Sequence, residues 1–267
     1  MTFRINTNPP QEKTSPFANL RLPREEGMFI AESEKVVVQL LESELEISSL
    51  YLTQEHFNEQ QSRIEAHEQP GDAEILIAPK SEMESIVGYS LHQGILASAK
   101  IPKEQTLEEL IVTSPKPQLY VILDEIADAE NMGALYRTAL ALGVTAIIID
   151  SRSTSPWLRR ALRVSIGAAF HLPTITAPSL ADAARFLKAQ NIQVYAATLG
   201  KNSKPIWECD LRGDVAIIFG SEGHGIRKEV IEVSSGEVII PMSNEVDSLN
   251  VGVAQGMVLY EAARQRS

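Results

Sequence analysis

The chain has 267 residues, of which 44% are hydrophobic and 22% are charged, as is typical of a globular protein with one large or two modest domains. No apolar run approaches the ~20 residues that span a bilayer, and the polar N-terminus lacks the apolar core of a secretory signal. The single cysteine, Cys209, excludes a disulfide framework and a cysteine-based metal site. These features predict a cytoplasmic protein.

The net charge of −11 is unevenly distributed. Residues 1–110 hold 9 Lys and Arg against 19 Asp and Glu, whereas residues 111–267 hold 15 against 16. Because nucleic-acid-binding domains are usually basic, this charge leaves the role of the N-terminal half open, while the C-terminal half can carry a local basic patch. The densest basic cluster consists of four arginines: Arg152, Arg159, Arg160 and Arg163. Spacing alone favours a solvated helix face over an RNA contact for this cluster.

The N-terminal part begins with residues 1–20, which are rich in Pro, Asn, Thr and Gln and predict a mobile arm. Helical and strand-like segments then alternate. They comprise a helical pattern at 29–41, a short apolar run at 47–52, a helix at 55–68, a strand at 75–78, a helix at 81–87 and a strand at 94–99. This alternation predicts a small α/β domain over 21–103, followed by a charged, proline-containing linker over 104–117.

From Leu119 onward, strands rich in Val and Ile alternate regularly with helices. The predicted strands are 119–124, 145–150, 194–199, 215–220 and 237–242, and the predicted helices are 129–143, 156–170, 180–190, 226–234 and 249–266. This pattern predicts a parallel sheet covered on both faces, in an α/β domain over 118–267. Ligands of such sheets bind at the carboxyl ends of the strands, and three of these strand ends lead into polar or glycine-bearing loops.

The first of these loops leads into Asn131, Gly133 and Arg137. Asn131 is a good helix N-cap, and a surface salt bridge would explain Arg137. Gly133 costs ~1 kcal/mol relative to Ala inside a helix, and a glycine at such a position often lets another backbone or a ligand come close. Taken alone, the motif is compatible with a structural or a functional role.

The second loop, Phe219-Gly-Ser-Glu-Gly-His-Gly225, places three glycines between a buried strand and a helix. Its backbone can therefore pass close to a ligand, but it matches neither the GxGxxG fingerprint nor a P-loop. Glu222 disfavours a phosphate ligand, although it could instead cap the following helix. His224 is a general base by residue type, but a histidine between glycines is more often an exposed turn residue.

The third loop, 240–251, contains Ser248 and Asn250, either of which could cap the last helix. That helix carries Gly252 and Gly256 on one face. Their spacing permits close packing against another element, which could belong to the same domain or to a second subunit.

Together, the three segments resemble the signature motifs of the SpoU family of RNA ribose methyltransferases, within the SPOUT superfamily. The first resembles N-x-G-x-x-x-R, the second resembles the FGSEG-x-G segment at 219–225, and the third resembles IPM at 240–242 followed by SLNV at 248–251. Their order and spacing agree across residues 118–267. Less closely, residues 29–37 and 92–97 resemble the family's ribosomal-protein-like domain that binds the RNA substrate.

The resemblance implies a C-terminal domain with a deep trefoil knot, S-adenosylmethionine as the cofactor, and a homodimer formed through this domain. It implies that the protein methylates a ribose 2′-hydroxyl of RNA. The implied cofactor-binding residues are Leu199, Gly200, Phe219, Gly220, Ser221, Glu222, Gly223, Gly225, Ile240, Pro241, Met242, Ser248, Leu249 and Asn250. The implied catalytic residues are Asn131, Arg137, Glu222, Ser248 and Asn250.

An arginine guanidinium stays protonated in proteins. We therefore interpret Arg137 as a clamp on an RNA phosphate and a stabiliser of the developing alkoxide, rather than as a base. No metal is required, and Asp124, Asp128 and Asp150 fit loop and strand-end positions better than ligand positions.

The separate N-terminal domain favours ribosomal RNA over transfer RNA as the substrate. Two further alternatives are a base methyltransferase of the same superfamily and a catalytically silent RNA-binding protein. The resemblance at Asn131 and Arg137 argues against the first of these, and the intact catalytic positions argue against the second.

Overall fold

The structure, a computed structural model, describes residues 4–18, 20, 27–68, 72–200, 203–243 and 248–267. The first elements are β1 (Arg4–Asn6), α1 (Gln11–Thr14), β2 (Met28–Glu32), α2 (Glu34–Leu41), β3 (Ile47–Leu52), α3 (Gln54–Ala66), β4 (Glu74–Ile77), α4 (Lys80–Val87) and β5 (Ile95–Lys100). The remaining elements are α5 (Leu107–Thr113), β6 (Leu119–Asp124), α6 (Ala129–Ala141), β7 (Ala146–Asp150), α7 (Arg159–Ser165), β8 (Thr174–Ala177), α8 (Leu180–Ala189), β9 (Gln193–Ala197), β10 (Lys204–Pro205), β11 (Val215–Gly220), α9 (Lys228–Ile231), β12 (Gly236–Ile239) and α10 (Val251–Arg266).

The chain divides into two compact units. The first combines Met1–Lys103 with Trp157–His171, and the second combines Glu104–Pro156 with Leu172–Ser267. Helix α7 therefore packs with the first unit, although its sequence lies between two strands of the second. In the part of the chain that the structure describes, no helix is both long and apolar enough to cross a membrane.

The first unit is built on a mixed five-stranded sheet in the order β1-β4-β3-β5-β2. Strands β1, β4 and β3 are parallel, whereas β5 runs antiparallel to both β3 and β2. The described part of residues 1–20 contributes β1 to this sheet and buries Phe17 completely. The ring of Phe17 lies 5.3 Å from that of Tyr51 on β3.

The helix predicted at 29–41 is wrong in its first third. Residues 28–32 form β2, which pairs with β5, and α2 begins only at Glu34. Ser33, with φ of +86°, separates the two elements. A run of three consecutive apolar residues, Phe29 to Ala31, satisfies a helical pattern as well as a buried strand, so periodicity could not distinguish the two.

The second unit is built on a seven-stranded sheet in the order β10-β12-β9-β11-β6-β7-β8. Every strand pair in it is parallel, and all six residues of β6 are buried. The predicted parallel sheet covered on both faces is thereby confirmed. Helices α5, α8 and α9 share one apolar core with the sheet, and α10 packs against α6. Residues 107–113, inside the predicted linker, form α5. The predicted domain boundaries stay a proposal.

Candidate functional site

The glycine-rich loop follows β11 and folds back on itself. Ser221 and Gly225 form an antiparallel bridge, in which the Gly225 N–H donates to the Ser221 carbonyl at 2.9 Å. A Cβ on Gly220 would lie 2.1 Å from the carbonyl carbon of Gly225, and Gly225 has φ of +68°. Both positions therefore require glycine, Gly220 for close backbone approach and Gly225 for its left-handed conformation.

Arg227, two residues beyond this loop, connects it to the ends of two neighbouring strands. Its Nε donates to Asp124 Oδ1 at 2.7 Å, its backbone N–H to Asp124 Oδ2 at 2.8 Å, and its Nη2 to Asp150 Oδ2 at 3.1 Å. We call Asp124, Asp150 and Arg227 the Arg227 network. Burial raises the pKa of Asp124, and the hydrogen bonds from Arg227 act in the opposite direction.

The Arg227 network gives the two aspartates a structural role, in keeping with their predicted placement at strand ends. The Asp124 side chain is 0% exposed and that of Asp150 is 5% exposed. Sequence reasoning did not single out Arg227. A signal for Arg227 was nevertheless present. Two aspartates end adjacent parallel strands, and an arginine follows a glycine-rich turn far along the chain.

A cavity of about 360 Å³ lies beside the glycine-rich loop, at the carboxyl ends of β9, β11 and β12. This volume is within the range of small-molecule sites, ~300–1,000 Å³. Ten of the predicted cofactor-binding residues line it: Leu199, Phe219, Gly220, Ser221, Glu222, Gly225, Ile240, Met242, Ser248 and Leu249. Gly200, Gly223, Pro241 and Asn250, also predicted, are not in the lining.

Eight residues of the cavity wall were not among the predicted cofactor-binding residues. They are Ala197, Thr198, His224, Ile226, Ile231, Val238, Val251 and Ala254. Most are apolar and lie at strand ends or in the first turns of helices, where a pattern cannot tell a cavity wall from ordinary core. His224 is exposed and lies in the turn, as expected for a histidine between two glycines.

Asn250 joins two of the predicted catalytic residues at the edge of this cavity. Its Nδ2 donates to Asn131 Oδ1 at 3.0 Å and to Glu222 Oε1 at 2.5 Å. Its Oδ1 accepts from the backbone N–H groups of Gly252 and Val253 at 3.0 and 3.3 Å, which caps α10. Because both ends of the amide are bonded, its orientation is determined. We call Asn131, Glu222 and Asn250 the Asn250 cluster.

Two of the simpler structural interpretations are wrong. Asp128, not Asn131, caps α6, with its carboxylate accepting from the N–H groups of Glu130 and Asn131. Glu222 does not cap α9, which begins at Lys228 without a side-chain cap. Asn131 and Glu222 are therefore available to the cluster, and Glu222 also lines the cavity.

The other two predicted catalytic residues lie apart from these contacts. Ser248 lines the cavity but has no hydrogen bond within the described ranges, and residues 244–247, just before it, lie outside those ranges. Arg137 is exposed on α6, and its guanidinium has no carboxylate or hydrogen-bond partner in the described part of the chain. The structure therefore brings together Asn131, Glu222 and Asn250 but does not place Arg137 in contact with them.

The site combines an apolar cavity with a carboxylate and two oriented amides at its edge. The carboxylate of Glu222 would repel a phosphate group, so the cavity suits a neutral or cationic organic ligand. Oriented polar groups beside a ligand cavity can position a second reactant without reorganising during the reaction.

Known proteins resemble the chain in both sequence and fold. A family model described as the SpoU rRNA Methylase family matches residues 118–260, and one described as RNA 2′-O ribose methyltransferase substrate binding matches residues 34–105. The 23S rRNA (guanosine-2′-O-)-methyltransferase RlmB of Xanthomonas campestris is 36% identical over 187 residues, 69% of this chain and 75% of that protein. RlmB of Acinetobacter baylyi is 32% identical over 235 residues, 86% and 94% of the two chains.

A solved structure supports the fold over the whole length. The AdoMet-bound rRNA methyltransferase from Sinorhizobium meliloti aligns with a TM-score of 0.79 at 24% identity, covering 98% of each chain. Its likeness extends over both the mixed sheet and the parallel sheet.

Proposed function

The chain belongs to the SpoU rRNA methylase family, and we propose that it transfers a methyl group from S-adenosylmethionine to a ribose 2′-hydroxyl of ribosomal RNA. The observation that carries this proposal is the cavity of about 360 Å³ at the carboxyl ends of the parallel strands, edged by the Asn250 cluster. The match of residues 34–105 to a substrate-binding model supports RNA as the second reactant.

The residues of the cavity fit the proposed cofactor. Its wall is mostly apolar, and the one carboxylate among its described residues, Glu222, attracts a sulfonium cation, whereas it would repel a nucleotide phosphate. Leu199, Gly220 and Ile240 line the wall, and their backbone groups would hold the cofactor. Ser248 and Asn250 would fix its methionine part. When bound, the cofactor supplies an electrophilic methyl group.

The protein's own groups then act mainly by positioning, because the reacting oxygen must lie in line with the methyl group. Asn131 and Glu222, oriented through Asn250, position the ribose. Arg137, exposed and unpaired within the described ranges, binds an RNA phosphate and stabilises the charge that develops on the ribose oxygen. The proton of the 2′-hydroxyl passes to that phosphate or to solvent.

The proposal includes a homodimer formed through α10, and a trefoil knot in the domain over 118–267. Gly252 and Gly256 face α6, where Cβ atoms on them would lie 3.6 Å from Ala134 and 3.7 Å from Thr138. Another face of α10 exposes three apolar side chains: Val253, Met257 and Tyr260. Exposed apolar residues at positions i, i+4 and i+7 form a stripe that a second copy would cover.

The homodimer is tested by sedimentation of wild type and Tyr260→Glu at micromolar concentration. Wild type should sediment as a dimer and Tyr260→Glu as a monomer. Val112→Glu, which alters an exposed apolar residue on α5, should leave the dimer intact. A wild-type mass near the 29.4 kDa of one chain would refute the homodimer without refuting the enzymatic activity.

The activity is tested with purified protein, tritiated S-adenosylmethionine, and either ribosomal or transfer RNA. Label should enter ribosomal RNA and should appear in dinucleotides that resist alkaline hydrolysis, because a methylated 2′-oxygen cannot attack the adjacent phosphate. Label in mononucleotides would indicate a base methyltransferase, and label in transfer RNA alone would indicate the other substrate. Calorimetry in EDTA should show cofactor binding, and its absence at millimolar cofactor would exclude the enzymatic function.

A further inference from the structure

A carboxylate on β12 lies just outside the wall of the cavity. Glu237 belongs to this strand, and its neighbour Val238 lines the cavity, whereas Glu237 is not in the described lining. The two side chains differ in this way because successive residues of a strand point to opposite faces of the sheet. Glu237 is only partly exposed, and a carboxylate that is partly removed from water needs polar partners.

The partners of Glu237 lie in the segment that follows β9. Thr198 Oγ1 donates to Glu237 Oε2 at 2.7 Å. An ionised carboxylate only accepts hydrogen bonds, so the hydroxyl proton of Thr198 points at Glu237. Ser203 Oγ, which lies 2.9 Å from Thr198 Oγ1, must then be the donor to it, and the N–H of Gly200 donates to the same oxygen at 3.2 Å. With one bond donated and two accepted, the Thr198 hydroxyl is fully satisfied and has a single orientation.

The same carboxylate packs against Gly200. A Cβ on Gly200 would overlap Glu237 Oε2, so only glycine lets the backbone pass this close to the carboxylate. Glu237 therefore contacts both ends of residues 198–200, which we call the 198–200 segment. Thr198 and Leu199 of this segment line the cavity. The conformation of one side of the cavity thus depends on a group that lies outside it.

We propose that Glu237 is a positioning residue for the cofactor. Acting through the Thr198 hydroxyl, it holds the 198–200 segment in the conformation that forms one side of the cavity. The proposal rests on the proposed function, because it takes S-adenosylmethionine as the occupant of the cavity. Since Glu237 is outside the cavity wall, it contributes to cofactor affinity and not to the methyl-transfer step.

The test separates cofactor affinity from turnover in the full chain. Calorimetry measures the Kd of S-adenosylmethionine, and a tritiated-methyl assay on ribosomal RNA at saturating cofactor measures kcat and the KM for RNA. Glu237→Ala should raise this Kd about tenfold, as expected for one lost hydrogen bond to a charged group. Both kcat and the KM for RNA should stay near wild type, because the lost contact is the same before and during the reaction. Glu237→Gln keeps an oxygen that accepts from Thr198 and should retain most of the affinity.

Variants of Thr198 test whether Glu237 acts through this hydroxyl. Thr198→Val removes the hydroxyl and should raise the Kd of the cofactor to a similar extent, whereas Thr198→Ser keeps it and should retain most of the affinity. In the Thr198→Val background, Glu237→Ala should cause no further loss, because the two side chains form one interacting pair. A second tenfold loss in the double variant would overturn the action through Thr198.

The matched control is Glu104→Ala, which removes a carboxylate that binds a threonine in a similar way. Glu104 Oε1 accepts from the Thr176 hydroxyl at 2.7 Å, and Glu104 Oε2 accepts from the Thr176 N–H at 2.8 Å. Neither residue is in the described lining of the cavity. Glu104→Ala should therefore leave the Kd of the cofactor unchanged.

The outcomes distinguish the positioning role from the proposed function. If wild type methylates RNA and Glu237→Ala binds the cofactor as tightly as wild type, the positioning role is overturned and the proposed function stands. If wild type binds the cofactor but methylates no RNA, the proposed function fails, and a tenfold rise in Kd for Glu237→Ala still supports the positioning role. A wild type that binds no cofactor overturns both. Parallel losses of affinity, kcat and melting temperature in Glu237→Ala and Glu237→Gln would indicate general structural support and overturn the positioning role.

Discussion

The glycine-rich loop lies between two polar regions that are built in opposite ways. In the Arg227 network, one guanidinium satisfies two aspartates whose side chains are almost fully buried. In the Asn250 cluster, Glu222 and Asn131 lie at a cavity edge, and Arg137 on the same helix as Asn131 is exposed. Groups that are fully paired and buried hold a backbone in place, whereas exposed groups that are oriented by one neighbour can still bind a reactant. The comparison predicts that substitutions in the network change stability, while substitutions in the cluster change activity.

The largest effect is expected for Arg227→Ala, which leaves two buried carboxylates without their partner. Breaking such a buried pair from one side costs about 3 kcal/mol or more in the free energy of unfolding. Urea denaturation measures it. Arg212→Ala removes an arginine from an exposed pair with Asp210 and should leave the free energy of unfolding almost unchanged. Equal losses in the two variants would show that the Arg227 network is not a structural support.

Arg137→Ala should lower turnover by about a hundredfold, because it removes a group that acts on the reacting RNA. Cofactor affinity and the free energy of unfolding should stay near their wild-type values, since the side chain is exposed and lies outside the cavity wall. Arg137→Lys should not restore turnover, because an ammonium lacks the planar fork of a guanidinium. A tritiated-methyl assay measures turnover, and calorimetry measures cofactor affinity. Near-normal turnover in Arg137→Ala would contradict the role assigned to Arg137.

Gly220→Ala links the two regions, because it strains the loop between them. The added Cβ would lie 2.1 Å from the backbone of Gly225, so the loop must shift, and cofactor affinity should fall by about tenfold. Gly213→Ala, just before β11, adds a Cβ that meets nothing within 4 Å and should leave affinity unchanged. If calorimetry finds the same affinity in both variants, the loop conformation does not matter for the cofactor.

The smallest effects separate the two roles of Asn250. Asn250→Asp keeps the oxygen that caps α10 but replaces the Nδ2 group that donates to Glu222 with a carboxylate oxygen. Turnover and cofactor affinity should therefore fall severalfold, with little change in the free energy of unfolding. Asn250→Ala should lose about 1 kcal/mol of stability in addition. Thr106→Ala, which removes only the cap of α5, should lower stability alone. A fully active Asn250→Asp variant would mean that the bridge to Asn131 and Glu222 has no role in the reaction.

Local sequence determined the second unit well. Val- and Ile-rich strands and their alternation with helices predicted a parallel sheet with its ligand loops at the carboxyl ends, and the order of the motifs identified the family. These features depend on residues that are close together in the sequence, so hydrophobic periodicity and turn residues can predict them. The same reasoning failed at 29–32, where a short apolar run is compatible with either a helix or a strand.

Tertiary structure decided the contacts between residues far apart in the chain. Arg227 and Asp124 are 103 positions apart in the sequence, and Asn250 and Asn131 are 119 apart. No local pattern predicts that such distant side chains form hydrogen bonds. Likewise, the segment Trp157–His171 packs with the first unit although it lies between strands of the second. The sequence by itself determined most of the elements and the residue types available for the chemistry. Only folding decided which of those residues face one another, because burial and pairing depend on the packing of the whole sheet rather than on neighbouring residues.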